Sequence, residues 1–152
     1  MQLFLVRHGE YIQDSRGVDI LSQTGKKNIR KMADFLKGQN IHVSAIWHSP
    51  KNRAKETAQI FQQRLNSSVE IKVFARLKPN DPLEPLLDKL LSMTENLMIV
   101  GHLPFIPRLV SQLLTGETDH SLLALPTAGV VVMENDRHFN WFLTGFFHPQ
   151  NV

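Results

Sequence analysis

Residues 2–10 read Q-L-F-L-V-R-H-G-E, and the fold turns on how this stretch is taken. The apolar run is far too short for a signal segment or a membrane span, and charge arrives at Arg7, so it reads as a first β-strand that ends on Arg7 and His8. Two other motifs have the same setting. One is H-S-P-K-N-R-A-K-E-T-A at residues 48–58, which carries Arg53; the other is V-G-H-L-P at residues 100–104, which carries His102. Each lies at the end of a predicted strand or in the first turn of the next helix, where an α/β sheet gathers ligand-binding groups.

Working outward, strand-like runs alternate with helical periodicity, the signature of βαβ units. Strands are predicted at Gln2–Arg7, Ala45–His48, Glu70–Phe74, Leu97–Val100, Gly129–Glu134 and Phe139–Phe146, the last two facing each other across Asn135 and Asp136 as a hairpin. Ile29, Met32, Ala33 and Leu36 recur at helical spacing between Thr24 and Leu36, with Gly38 as the stop. A second helix is predicted from about Pro50 to Leu65, with Ser49 as N-cap and Pro50 as first helical residue. A third covers Leu83 to Met93. A fourth follows His102 as far as Leu114, with Pro104 and Pro107 tolerable only near its first turn and Gly116 ending it. With no repeat, low-complexity tract or linker, the expected architecture is one domain over residues 1–152. It is a three-layer αβα sandwich with a mainly parallel central sheet and a C-terminal antiparallel hairpin.

Composition sets the outer limits. A chain of 152 residues, 42% hydrophobic and 20% charged, can bury a continuous core and is not a disordered segment. Having no cysteine, it has no disulfide framework and no thiolate nucleophile; a reducing compartment suits it, and a cytoplasmic location without membrane attachment is expected. The net charge of +3 slightly favours an anionic partner, but the basic residues are dispersed and nucleic acid is not expected.

The chemistry follows from residue type. Two imidazoles and two guanidiniums in one pocket make a receptor for a dianionic phosphate, with one imidazole free to attack it. Phosphoryl transfer needs positioning and charge stabilisation more than covalent help. Arg7 and Arg53 can each present a planar fork of N–H donors, a geometry lysine lacks, and such bonds contribute about 1.5–3 kcal/mol each. Both should lower the pKa of neighbouring imidazoles, which keeps His8 neutral and nucleophilic. His102 cannot attack the same face of phosphorus, so it is assigned to donate to a phosphate oxygen. Gly9 is expected to leave the backbone beside His8 uncrowded for phosphate.

Each motif alone has a bland explanation: Arg-His-Gly as a surface turn, the second motif as capping and packing with Ala54 and Ala58 facing the core, and His102 as a turn histidine. Their joint occurrence at three strand-to-helix junctions does not. Together R-H-G, S-P-x-x-R-A-x-x-T and G-H resemble the histidine phosphatase, or phosphoglycerate-mutase-like, superfamily across nearly the whole chain. The short length, G-H-L-P-F-I-P-R-L-V, T-G-E-T near Gly116 and the closing F-N-W are similar to its compact SixA-type branch of phosphohistidine phosphatases. The resemblance implies His8 as phosphate acceptor, with Arg7, Arg53 and His102 as the catalytic pocket. It implies a supporting role at most for Glu10, and no metal or organic cofactor.

One departure from the wider superfamily is informative. Members that cleave phosphate monoesters usually carry an acidic proton donor in a longer insert between the second arginine and second histidine. Here Asp81 and Glu84 are the candidates, and a turn residue and a helix first-turn acid are equally good descriptions of them. An alcohol leaving without a proton departs as an alkoxide, whose conjugate acid has a pKa of about 16. An imidazole, at about 6.5, leaves far more easily. That favours a phosphohistidine on a protein, which a shallow site would admit. The implied partner is a histidine phosphotransfer domain of a bacterial sensor kinase or a phosphotransferase-system carrier. A small-molecule phosphomonoesterase using Asp81 or Glu84 is the alternative, and a phosphohistidine-binding module without turnover is a third reading.

A metallohydrolase is not expected: there is no H-E-x-x-H, and the carboxylates are not expected to cluster with His8 or His102. His42, His48, His120, His138 and His148 are read as surface or strand-end residues. Trp141, Phe142, Phe146 and Phe147 are expected to pack the last strand onto the core.

Overall fold

In the computed structural model, which describes residues 1–152, the opening apolar stretch is strand β1 (Gln2–Arg7) inside a six-stranded sheet. Leu3 to Val6 are fully buried because both faces of the sheet are covered. Side chains alternate across a strand, so Leu3 and Leu5 join one apolar cluster while Phe4 and Val6 join another. The first is closed by helices α3 (Glu84–Leu91) and α4 (Phe105–Thr115). The second is closed by α1 (Gln23–Gly38) and α2 (Asn52–Leu65). The result is the expected αβα layering.

The remaining sheet strands are β4 (Ala45–His48), β5 (Glu70–Val73), β6 (Leu97–Gly101), β7 (Val130–Asn135) and β8 (Trp141–Phe147), after a small ribbon of β2 (Tyr11–Gln13) and β3 (Asp19–Leu21). The sheet order is β5-β4-β6-β1-β7-β8. The first four strands are parallel, and β7 and β8 form the antiparallel C-terminal hairpin. The chain leaves β1 for α1 on one face and leaves β6 for α4 on the other. These strands are neighbours, so a crevice opens between their carboxyl ends, the place where open α/β sheets bind ligands. No helix is long and apolar enough to cross a membrane.

Three local expectations change. Helix α2 begins at Asn52, two residues later than predicted, with Lys51 at the cap position; Ser49 lies outside it. The β7–β8 connection is not a tight turn at Asn135 and Asp136 but spans residues 136–140, so Phe139 leaves the strand. Asp136 organises it by accepting from the backbone N–H groups of His138 and Asn140 at 2.8 and 3.0 Å. Phe142 is half exposed rather than packed, whereas Trp141 and Phe146 lie against one core cluster and Phe147 against the other. Pro104 and Pro107 do fall at the cap and first turn of α4, where a missing N–H costs no helical bond.

Candidate active site

Arg7 of β1 is paired with Gly101 of β6, so one residue later His8 and His102 emerge from adjacent strand ends. Their ring centroids are 5.1 Å apart. The His8 backbone is fixed on two sides: its N–H donates to the Gly101 carbonyl at 3.0 Å, and its carbonyl accepts from the Ala128 N–H at 3.2 Å. The next N–H, that of Gly9, donates to Thr57 Oγ1 at 3.0 Å. Thr57 lies one turn after Arg53 on α2 and itself donates to the Arg53 carbonyl at 2.8 Å. The threonine of the second motif therefore clamps the arginine helix to the histidine loop.

These contacts define the His8 tautomer. Nδ1 lies 2.8 Å from the Gly9 carbonyl, which can only accept, so Nδ1 carries the proton and Nε2 keeps its lone pair. Arg53 Nε donates to that lone pair at 3.3 Å. The His8 pKa is lowered to about 4, chiefly by burial and further by Arg53 and Arg7, against the opposing pull of the Gly9 carbonyl and Asp19. The arginines thus act in the expected direction, with desolvation the larger cause. His102 is lowered to about 3, by burial first and then by His8, Arg53, Lys51 and Arg7. Both rings are neutral at ordinary pH.

Arg53 sits in the first turn of α2, a position that the helix dipole disfavours for a cation and that has no acidic neighbour in that turn. It is held from three sides: His8 takes its Nε–H, Asp19 pairs with its Nη1, and its guanidinium lies 4.6 Å over the Tyr11 ring. Arg7 Nη1 donates to the Leu125 carbonyl at 2.8 Å. Burial lowers its pKa, although an arginine remains charged. Two buried side-chain polar atoms have no hydrogen-bond partner in the protein, and both belong to the predicted pocket: Arg7 Nε and His102 Nδ1. Burying such groups unpaired is costly, and a ligand that paired with both would offset that cost.

Other predicted residues are placed differently. A side chain on Gly9 would press on Ile29 and Leu21 at 3.0 and 3.1 Å, and its N–H is committed to Thr57. Gly9 therefore makes room for α1 and β3, not for phosphate. The Glu10 carboxylate accepts from Ser22 Oγ at 2.6 Å, next to the α1 cap. Asp81 accepts from the Lys78 backbone N–H at 2.8 Å within its own turn, and Glu84 is exposed in the first turn of α3. Neither is hydrogen-bonded to His8 or His102. Asp19, paired with Arg53, stands close enough to His8 to raise its pKa. His48 is a buried strand-end residue with Nδ1 2.8 Å from the Ser49 carbonyl. One trio has metal-ligand spacing, the exposed Glu117, Asp119 and His120, and it includes no pocket residue.

Asp19, Tyr11, Thr57 and Ser49 were not singled out by sequence as site residues. Ser49 is fully buried, with its Oγ 2.7 Å from His102 Nε2. The Ser-Pro pair that signals a helix start masked this contact.

Residues 3–79 match the family model of the histidine phosphatase superfamily (branch 1). The chain is 30% identical over 148 residues to the phosphohistidine phosphatase SixA of Escherichia coli strain K12, covering 93% of this chain and 92% of that protein. A structure of the protein histidine phosphatase SixA complexed with tungstate superposes with a TM-score of 0.89 at 27% identity, covering 99% of each chain. The α-ribazole phosphatase of Shigella flexneri shares the fold with a TM-score of 0.80 at 12% identity, over 98% of this chain and 97% of that one.

Proposed function

The chain belongs to the histidine phosphatase superfamily, and from that premise we propose that it hydrolyses phosphohistidine on a signalling or phosphotransfer protein, with His8 as the covalent phosphate acceptor. The observation that carries the reading is the conjunction of an unprotonated His8 Nε2 with two unpartnered buried nitrogens, Arg7 Nε and His102 Nδ1, in the crevice between β1 and β6.

His8 Nε2 attacks phosphorus as the P–N bond to the substrate ring breaks; that ring, protonated on its other nitrogen, takes the bonding electron pair and leaves as neutral imidazole. The Gly9 carbonyl, holding Nδ1–H, stabilises the positive charge that develops on the His8 ring. Arg53 Nε, whose 3.3 Å contact with Nε2 is long for a hydrogen bond, exchanges the ring nitrogen for a phosphate oxygen as phosphorus arrives. Arg7 and His102 hold the other oxygens. Water then attacks the His8 adduct, releasing inorganic phosphate and restoring the neutral imidazole. One P–N bond is exchanged for another of similar energy in the first step, so no strong acid is required there. The engagement of Asp81 in its turn and the exposure of Glu84 agree with that economy.

A phosphorylated histidine phosphotransfer domain and a phosphotransferase-system carrier are the substrates to assay beside a panel of sugar and nucleotide phosphates. The expected result is phosphate release from a phosphoprotein with a base-stable, acid-labile label on His8. Efficient monoester turnover that collapses in Asp81→Asn or Glu84→Gln would assign the protein to small-molecule substrates instead. Tight capture of the phosphoprotein with no phosphate release would make it a binding module.

A further inference from the structure

We propose that Ser49 is a positioning residue that sets the proton on His102: its hydroxyl donates to Nε2, holding the imidazole as the Nδ1–H tautomer that serves the phosphate. This inference rests on the phosphate-pocket reading above.

Ser49 follows β4 directly, as His102 follows β6, and the two strands are paired in parallel with His48 opposite Val100. The Ser49 backbone N–H donates to the Val100 carbonyl at 3.0 Å, which sets the serine beside the histidine. Both residues are essentially sealed from water, with exposures of 0% and 1%. An imidazole has two nitrogens, and here Nε2 is committed to Ser49 Oγ at 2.7 Å, so only Nδ1 is left to meet a ligand.

The direction of the Ser49–His102 bond follows from satisfying both groups. Ser49 Oγ already accepts from the Lys51 backbone N–H at 3.3 Å, and its own proton has one acceptor within reach, His102 Nε2. With the hydroxyl donating, the Lys51 N–H and the Ser49 hydroxyl proton are both paired, and the one unpaired polar hydrogen of the trio is the His102 Nδ1–H, which is left to meet an incoming anion. In the reverse arrangement the hydroxyl proton would be buried without an acceptor, and a lone pair on Nδ1 would face the dianion. The surrounding cations and burial disfavour the doubly protonated ring, which supports the same assignment. The serine of the second motif and the histidine of the third thus act as one donor, with Lys51 orienting the hydroxyl from the start of α2.

Histidine ¹⁵N shifts and two-bond couplings report the tautomer directly, in the wild-type protein with and without inorganic phosphate. The expected wild-type pattern is a protonated Nδ1 and a bare Nε2 on His102; a protonated Nε2 with a bare Nδ1 overturns the proposal. In Ser49→Ala the tautomers should mix, and affinity for inorganic phosphate should fall about tenfold. Ser49→Thr, which keeps the hydroxyl, should restore the wild-type tautomer. A Ser49→Ala protein with unchanged tautomer and unchanged phosphate affinity also overturns it. None of these readouts needs turnover, so a protein that binds phosphate in the stated tautomer but releases none from phosphohistidine would refute the proposed function alone.

Discussion

Asp19 and Arg53 form an ion pair inside the crevice, the carboxylate accepting from Nη1 while the same guanidinium offers Nε–H to His8. A negative charge in a pocket meant for a dianion is a cost to binding. Its compensation is orientation: Asp19 on the ribbon and Tyr11 beside it hold Arg53 in reach of the nucleophile. Asp19→Asn keeps an acceptor for Nη1 and removes the charge. The expected outcome is inorganic phosphate binding tightened by roughly 1 kcal/mol, several-fold in affinity, measured by calorimetry at low salt. Weaker binding would mean that the charge, and not the hydrogen bond, keeps Arg53 in place.

Arg53→Lys tests the fork geometry. Lysine preserves the positive charge but cannot offer a side-chain Nε–H to His8 while a second N–H meets a neighbouring acceptor, and it loses the guanidinium's contact over the Tyr11 ring. At about 1.5–3 kcal/mol per charge-assisted bond, kcat/KM should fall between roughly 10- and 100-fold, with little change in unfolding midpoint. A loss under threefold would show that charge alone suffices.

The parts of this molecule that were legible beforehand share a property: their signal is local. β1 and β4 match their predicted bounds because short apolar runs end in abrupt polarity, and α1 shows its buried stripe of Ile29, Met32, Ala33 and Leu36. Arg7, His8, Arg53 and His102 stand out because cations and imidazoles at strand-to-helix junctions have no packing reason to be there. The ribbon was illegible because β2 is three exposed residues with no face to bury, and its value lies in delivering Tyr11 and Asp19 to a helix some 34 positions away. Gly9 and Ser49 carry correct flags for the wrong reason: a glycine that fits α1 and a serine that fits His102 have the same letters as a phosphate loop and a helix cap.

Gly25 predicts a stability effect with consequences for the site. A methyl group there would collide with the Glu10 carbonyl oxygen, and because the obstacle is backbone it cannot yield without moving the segment that follows His8. Gly25→Ala should therefore destabilise by about 3 kcal/mol in urea unfolding. A change below roughly 0.5 kcal/mol would show that the α1 start and the Glu10 segment separate freely.

The two depressed imidazoles link folding to pH. Each titrates near 6.5 when unfolded and at about 4 (His8) or about 3 (His102) in the native state. Between those values the unfolded chain binds more protons, so stability is fully present above pH 6.5 and is lost as pH falls toward the native pKa values. From pH 7.5 to 4.5 each histidine should contribute a loss of roughly 2–3 kcal/mol. His8→Gln and His102→Gln should each flatten the slope of unfolding free energy against pH, measured by urea titration across that range. Since both rings remain neutral in the native protein down to about pH 4, the acid limb of kcat/KM should lie well below 6.5, where loss of fold and protonation of His8 converge. A wild-type slope equal to that of the His8→Gln, His102→Gln double variant would mean that the rings titrate normally. The neutral nucleophile would then have to come from somewhere other than burial and the two arginines.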